Sequence, residues 1–217
     1  KIDYTVAEVN VPAGYTSLVQ AEDSGNILIE NHYTPETRAV EGTKVWVDAD
    51  NQDGVRPESV EVNLLANGQV VDTQSVKADT DWAYVFEGLP VYANGQLITY
   101  TVTENTVAGY STTLNGFDIT NTRTPDETSV TVTKAWLDSN DQDGKRPSYV
   151  QVQLLGDGEA VGEPIVLTAL TEWTHTWQGL PENADGQAID YTVAEVNVPA
   201  GYTSLVKAED SGNILIE

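Results

Sequence analysis

A lysine, a glutamate and an asparagine recur in this 217-residue sequence where an apolar residue belongs. Val130, Val132, Lys134 and Trp136 share one parity of an alternating run, as do Val40, Lys44 and Trp46. Successive side chains of an extended strand point to opposite faces, so each lysine sits within an apolar face. In a later run Tyr100, Val102 and Glu104 share a face while Thr99, Thr101 and Thr103 take the other. Tyr191, Val193 and Glu195 repeat the pattern, as do Tyr4, Val6 and Glu8. Phe117, Ile119 and Asn121 are in phase further on, matching Ile27, Ile29 and Asn31.

These three residue types can react with one another. Burial disfavours both charges, so an ammonium and a carboxyl held together away from water can exist as neutral amine and neutral acid. A neutral amine is a nucleophile, and a carboxamide is an electrophile once an acid polarises its oxygen. Held in contact, the three could form a Lys–Asn amide and expel ammonia. A plainer reading of any one residue is that it ends its strand at the rim, the lysine laying its stem on apolar surface with its ammonium in water. Charges are seldom fully buried, which favours that reading for each alone. Recurrence of all three, in phase and in separate copies, favours the reactive one.

The elements that must position these residues are repeats. Residues 44–57 read KVWVDADNQDGVRP and residues 134–147 read KAWLDSNDQDGKRP. Trp82 matches Trp173, Leu89-Pro90 matches Leu180-Pro181 and Tyr100 matches Tyr191, while residues 2–19 are identical to residues 189–206. Self-similarity at this spacing describes a tandem array. Residues 39–124 form one complete repeat, residues 1–38 the last part of a preceding repeat plus a connector, and residues 125–217 a further repeat lacking its final Asn strand end. The stretches 32–38 and 122–128, with Pro35 and Pro125, read as short connectors. The period within a repeat is two, the runs are rich in β-branched residues, and Asn67-Gly68, Asn94-Gly95, Asn115-Gly116, Asp157-Gly158 and Asp185-Gly186 supply tight turns. The expected fold class is all-β: tandem sandwiches of immunoglobulin-like size.

Composition removes most other functions. Lys plus Arg total 10 against 34 Asp plus Glu, a net charge of −24 that repels nucleic acid and anionic lipid. With no cysteine and only His32 and His175, thiolate zinc sites, cysteine nucleophiles and histidine triads are excluded, and no cofactor is expected. No apolar run is long enough to span a membrane, and Lys1-Ile2-Asp3-Tyr4 does not resemble a signal peptide. The turns from Asp48 to Gly54 and from Asp138 to Gly144 suggest a calcium loop, but an EF-hand count from Asp48 fails at Gln52, Asp53 and Ser59. A polar turn closed by Arg56-Pro57 is the expectation, with no metal. Trp82, Trp136, Trp173 and Trp177 could stack on sugars, though aromatics at strand parity more often belong to a core.

The K-x-W strand, the N/D-Q-D-G-x-R-P turn, the L-x-x-x-G hairpin, G-L-P, the Y-T-V-x-E strand, the following G-Y and the I-T-N end together resemble the Cna protein B-type domain family, repeats of Gram-positive surface adhesins and pilins. The resemblance implies a reverse-immunoglobulin-like β-sandwich and a spontaneous Lys–Asn isopeptide bond assisted by an acidic residue. Carried over by motif, the bond joins Lys44 to Asn121 with Glu104 as the catalytic acid. Lys134 and Glu195 match in the later repeat, where the asparagine would be residue 218, beyond this sequence. Glu8 and Asn31 match in the leading segment, without their lysine. Two explanations offer themselves for these open ends: a cut from a longer array, or completion by strand exchange between molecules. The cut is preferred, because the stretch 2–19 would otherwise have to displace an identical native strand.

The function expected is that of stalk repeats of a cell-wall-anchored adhesin on a bacterial surface. Its partners are the neighbouring repeats, with a host extracellular ligand bound by another domain and no insertion into membrane. A module in which the repeats themselves bind a host protein or glycan is the alternative. An enzyme with turnover is not expected, since self-crosslinking consumes its own lysine.

Overall fold

The computed structural model describes residue 2 and residues 4–23, 25–209 and 212–217. Its regular structure is almost wholly strand. In the leading segment β1 (Thr16–Ala21) and β2 (Ile27–His32) form an antiparallel pair, with Val19 opposite Ile29. Nine strands follow: β3 (Thr37–Val47), β4 (Ser59–Ala66), β5 (Gln69–Lys77), β6 (Ala83–Pro90), β7 (Tyr92–Ala93), β8 (Gln96–Leu97), β9 (Tyr100–Glu104), β10 (Ser111–Asn115) and β11 (Asp118–Thr122). Nine more repeat them: β12 (Glu127–Lys134), β13 (Tyr149–Gly156), β14 (Glu159–Thr168), β15 (Thr174–Pro181), β16 (Asn183–Ala184), β17 (Gln187–Ala188), β18 (Tyr191–Val196), β19 (Val206–Ala208) and β20 (Asn213–Ile216).

Each set of nine makes the same sandwich. One sheet has the order β10-β11-β3-β6 in the first set and β19-β20-β12-β15 in the second. The other has the order β5-β4-β9, repeated as β14-β13-β18, and a small hairpin, β7-β8 or β16-β17, stands apart. The first and last long strands are neighbours and parallel: Val132 lies opposite Ile214 and Lys134 opposite Ile216. This is the reverse-immunoglobulin-like arrangement, and it brings the two ends of the repeat side by side.

By packing, the chain divides into two compact units: Lys1–Val45 with Ser59–Thr106 and Thr113–Ile119, and Trp46–Glu58 with Val107–Thr112 and Thr120–Glu217. The core of the first holds Val40, Val62, Leu64, Phe86, Val102 and Ile119. That of the second holds Val132, Val152, Leu154, Leu167, Val193 and Ile216. These are the alternate residues of their strands, and each such side chain removed from water contributes about 1.5–3 kcal/mol. Four of the five turn dipeptides have positive φ at both residues, as a two-residue hairpin requires; at Asn115-Gly116 only the glycine does.

The leading copy departs from the alternation. The Y-T-V-x-E stretch is β9 and β18 in the two sandwiches, where it pairs with β4 and β13. Residues 4–8 form no strand, and Tyr4 is 79% exposed. Alternation prepares a strand for one buried face, but a strand also needs a neighbour to take its backbone hydrogen bonds.

Candidate functional site

Lys44 lies near the end of β3 because Val40 and Gly42 before it and Trp46 after it share its parity. Its backbone N–H is fixed to Trp82 O at 2.8 Å, which sets the strand and aims the side chain inward. Nζ lies 3.7 Å from Glu104 Oε1, and neither side chain has any exposed surface. The ammonium also donates to Val45 O at 3.0 Å. Glu104 comes from β9 in the facing sheet, in phase with buried Tyr100 and Val102. An ion pair taken wholly out of water is costly to desolvate, so its retention calls for a reason beyond stability.

Asn121 is in β11, the strand next to β3 in the sheet order, and is in phase with buried Ile119. It is 0% exposed. Among the described residues, neither Nδ2 nor Oδ1 of its side chain has a hydrogen-bond partner. Burying an amide without hydrogen bonds costs about 1–3 kcal/mol per polar group, and native proteins rarely tolerate it.

The second sandwich builds the same lysine–acid pair. Lys134 Nζ is 3.6 Å from Glu195 Oε2, with side chains 3% and 1% exposed. The ammonium also stands 4.7 Å from the centre of the Trp136 ring, a cation–π contact. Glu195 receives a hydrogen bond from Ser204 Oγ at 2.6 Å. In the leading segment Ser17 Oγ donates to Glu8 at 2.6 Å and Asn31 Nδ2 donates to Glu8 at 3.0 Å. The Ser17 hydroxyl, and after it the Asn31 amide, hold the Glu8 carboxyl below its ordinary range. The seven residues singled out by parity thus fall into Lys44 with Glu104, Lys134 with Glu195, Glu8 with Asn31, and buried Asn121.

The hydroxyl on the glutamate is a feature the alternation did not disclose. Its signal was present in Gly14-Tyr15-Thr16-Ser17 and Gly201-Tyr202-Thr203-Ser204, where the serine stands two residues after the tyrosine. Gly109-Tyr110-Ser111-Thr112 places a threonine at the same point.

The acidic turns hold an internal cation. Arg56 grips Asp48 with two parallel hydrogen bonds, Nε to Oδ2 at 3.0 Å and Nη2 to Oδ1 at 2.6 Å. Tyr110 OH adds a third at 2.8 Å, and the Asn51 N–H a fourth at 3.1 Å. The Arg56 guanidinium beside it holds the Asp48 carboxyl down at about 2, while burial, and then Asp48, push Tyr110 up to about 12. Asp138, Arg146 and Tyr202 repeat the cluster at 2.9, 2.6 and 3.1 Å, and Arg146 holds the Asp138 carboxyl well below the usual carboxylate range. Trp46 meets Tyr110 edge-on at 5.0 Å, and Trp136 meets Tyr202 and Trp173 at 5.1 Å. Trp136, Trp173 and Trp177 pack against the core of their sandwich. Among the described residues, no three His, Asp or Glu side chains are grouped to hold a metal ion, and no helix is long and apolar enough to cross a membrane.

This sequence and its fold are similar to those of known proteins. Residues 40–122 and 130–216 each match the Cna protein B-type domain. The whole chain is 51% identical over 216 residues to the collagen adhesin of Staphylococcus aureus, of which it spans 18%. A crystal structure of two B repeat units (B1B2) of the collagen binding protein of S. aureus is 52% identical, with a TM-score of 0.50 over 94% of this chain and 55% of that one. A single B repeat unit (B1) of the same protein is also 52% identical, with a TM-score of 0.41 over 83% of this chain and 97% of that one.

Proposed function

The chain belongs to the Cna protein B-type domain family, and from that premise we propose that it is a length of stalk from a cell-surface adhesin, locked by an isopeptide bond between Lys44 and Asn121. Residues 39–124 are one complete repeat of the stalk, residues 125–217 belong to a further repeat, and residues 1–38 are the C-terminal part of a preceding repeat plus a connector. The full-length protein is anchored to a bacterial cell wall, and the ligand is bound by a different part of it.

The observation that carries the reading is the fully buried Lys44–Glu104 pair at 3.7 Å in a repeat whose Asn121 is buried with an unsatisfied carboxamide. Lys44 passes a proton to Glu104 and becomes a neutral amine. Its Nζ then attacks Asn121 Cγ while the Glu104 acid polarises Oδ1. The carboxyl next moves a proton from Nζ to Nδ2. The Cγ–Nδ2 bond breaks, the Nζ–Cγ amide remains, and the proton that Glu104 first took from Lys44 passes to the departing ammonia, which leaves as ammonium with Glu104 again a carboxylate. The lysine is consumed, so the event occurs once. Because no thiol is involved, the crosslink withstands reductant, and a chain without Cys or Met offers little else to oxidise.

Intact mass tests this directly. The chain should weigh about 17 Da less than its sequence, since an amide formed by aminolysis expels one ammonia. Glu104→Ala should keep the full sequence mass while retaining the β-sheet circular dichroism of the parent. A parent chain at full sequence mass would overturn the bond. A Glu104→Ala chain that still lost ammonia at the normal rate would overturn the role of the acid.

A further inference from the structure

The same acidic turn occurs twice and meets two different surroundings. Gln52-Asp53-Gly54 and Gln142-Asp143-Gly144 are identical in sequence, yet the Asp53 side chain is 3% exposed while Asp143 is exposed. Three donors cover Asp53. Arg123 Nε reaches Oδ2 at 3.1 Å and the Asp126 N–H reaches the same oxygen at 3.0 Å. Asn183 Nδ2, from β16 of the following repeat, reaches Oδ1 at 3.3 Å. The neighbouring Gln52 carbonyl accepts the Gly186 N–H at 3.0 Å. Arg123 is itself braced, its Nη2 on Asp126 at 2.7 Å and its N–H on Val47 O at 2.9 Å. All these residues belong to one compact unit.

The backbones also meet. A methyl group on Gly54 would lie 2.5 Å from the Gly186 Cα, and one on Gly186 would lie 2.9 Å from the Gly54 Cα. Both glycines have positive φ, +68° and +74°. Only glycine permits this approach at these angles. Gly144 has nothing within 4 Å of the same construction.

We propose that the Gln-Asp-Gly turn of a repeat is a socket for the repeat that follows, closed on Asp53 by the Arg123/Asp126 connector and by the Asn183–Gly186 hairpin. Its partner is a family repeat preceded by Arg-x-x-Asp and carrying Asn-x-x-Gly in its small hairpin. The corresponding stretches elsewhere in this chain lack that code: Tyr33 and Glu36 stand for Arg123 and Asp126, and Tyr92 stands for Asn183. The code therefore selects which repeat follows which. Because a carboxylate accepting several charge-assisted or backbone hydrogen bonds fixes its donors in direction as well as distance, the joint is stiff.

The Arg123–Thr124 peptide bond reports on the joint, since trypsin must extract the Arg123 side chain from the Asp53 carboxylate. Asp53→Ala in the full chain should raise cleavage after Arg123 by at least about tenfold, as loss of hydrogen bonds to a charged group exposes a locally stable segment. Amide exchange at Asp126 and Gly186 should rise with it. Asn183→Ala, which touches only the hairpin side, should speed exchange at Gly186 and leave the thermal unfolding of both sandwiches in place. Asp143→Ala should change none of these rates. Wild-type cleavage and exchange in both Asp53→Ala and Asn183→Ala would overturn the socket, as would an equal effect from Asp143→Ala.

Discussion

Pulled from its two ends, the chain should yield almost no length from residues 44–121, whereas Asn121→Ala should release roughly 270 Å from the same stretch at up to ~3.6 Å per residue. The expectation follows from the path of the load. Tension enters along β3 and leaves along β11, neighbours in one sheet. A Lys44–Asn121 bond carries it from one strand to the other, and the stretch of 77 residues closed by the bond lies outside the path. Without the bond the same force must pass through hydrogen bonds between strands, each contributing only about 0.5–1.5 kcal/mol net. Heating should separate the two chains as well. By the loop-entropy relation, closing 77 residues constrains the unfolded state by about 4.5 kcal/mol. At about 4–8 °C per kcal/mol for a domain of this size, the variant should melt on the order of 20–30 °C lower. Force spectroscopy checks the first effect and calorimetry the second; the second sandwich, whose strands do not include residue 121, is an internal reference. Equal extension from parent and variant would remove the crosslink from the mechanical account.

Much of this site was legible because a strand has a period of two. Lys44, Glu104 and Asn121 are conspicuous only against Val40, Val102 and Ile119, and the structure buries all six. The all-β fold was legible for the same reason, helped by turn dipeptides of which four of five have positive φ at both residues. Parity reports a face and not a neighbour. It could not say that Tyr4, Val6 and Glu8 would lack a pairing strand, and so it assigned them the alternation they share with Tyr191, Val193 and Glu195. Nor does it reach contacts made by residues outside strands. The Ser204 hydroxyl on Glu195 and the Tyr110 hydroxyl on Asp48 come from loops whose courses only the folded chain fixes. The acidic turn was read as a polar turn closed at Arg56, and the structure supplies the reason: both oxygens of Asp48 are taken by one guanidinium. Asp53 was noted only as standing where an EF-hand loop needs glycine. Its donors are 70, 73 and 130 residues away, a separation at which local sequence carries no signal.

Arg56→Ala should be the most damaging single change outside the crosslink, costing about 3–5 kcal/mol, because removing one partner of a buried pair strands the other charge. The Asp48 side chain is 2% exposed, and no water replaces the lost guanidinium cheaply. Arg146→Ala should cost less, since the Asp138 side chain is 11% exposed. Adding Asp48→Asn to Arg56→Ala should recover part of the loss by removing the stranded charge. Acid provides an independent check. The folded-state pKa of Asp48 is about 2, below its ordinary 3.8, so its contribution is full above about pH 4 and is lost as the pH falls toward 2. In Arg56→Ala the carboxyl keeps its burial and loses the strongest of the groups that hold it down, while the Tyr110 hydroxyl and the Asn51 N–H remain, so that acid limb should shrink. Denaturant midpoints at pH 7, 4 and 2 measure all of this. A cost below about 1 kcal/mol, the range of an exposed ion pair, would place Asp48 in contact with solvent. The intact mass of the same variant then separates two roles that the sequence runs together. If the turn serves stability and Lys44, Glu104 and Asn121 alone serve the chemistry, Arg56→Ala will be weaker by several kcal/mol and still short of one ammonia.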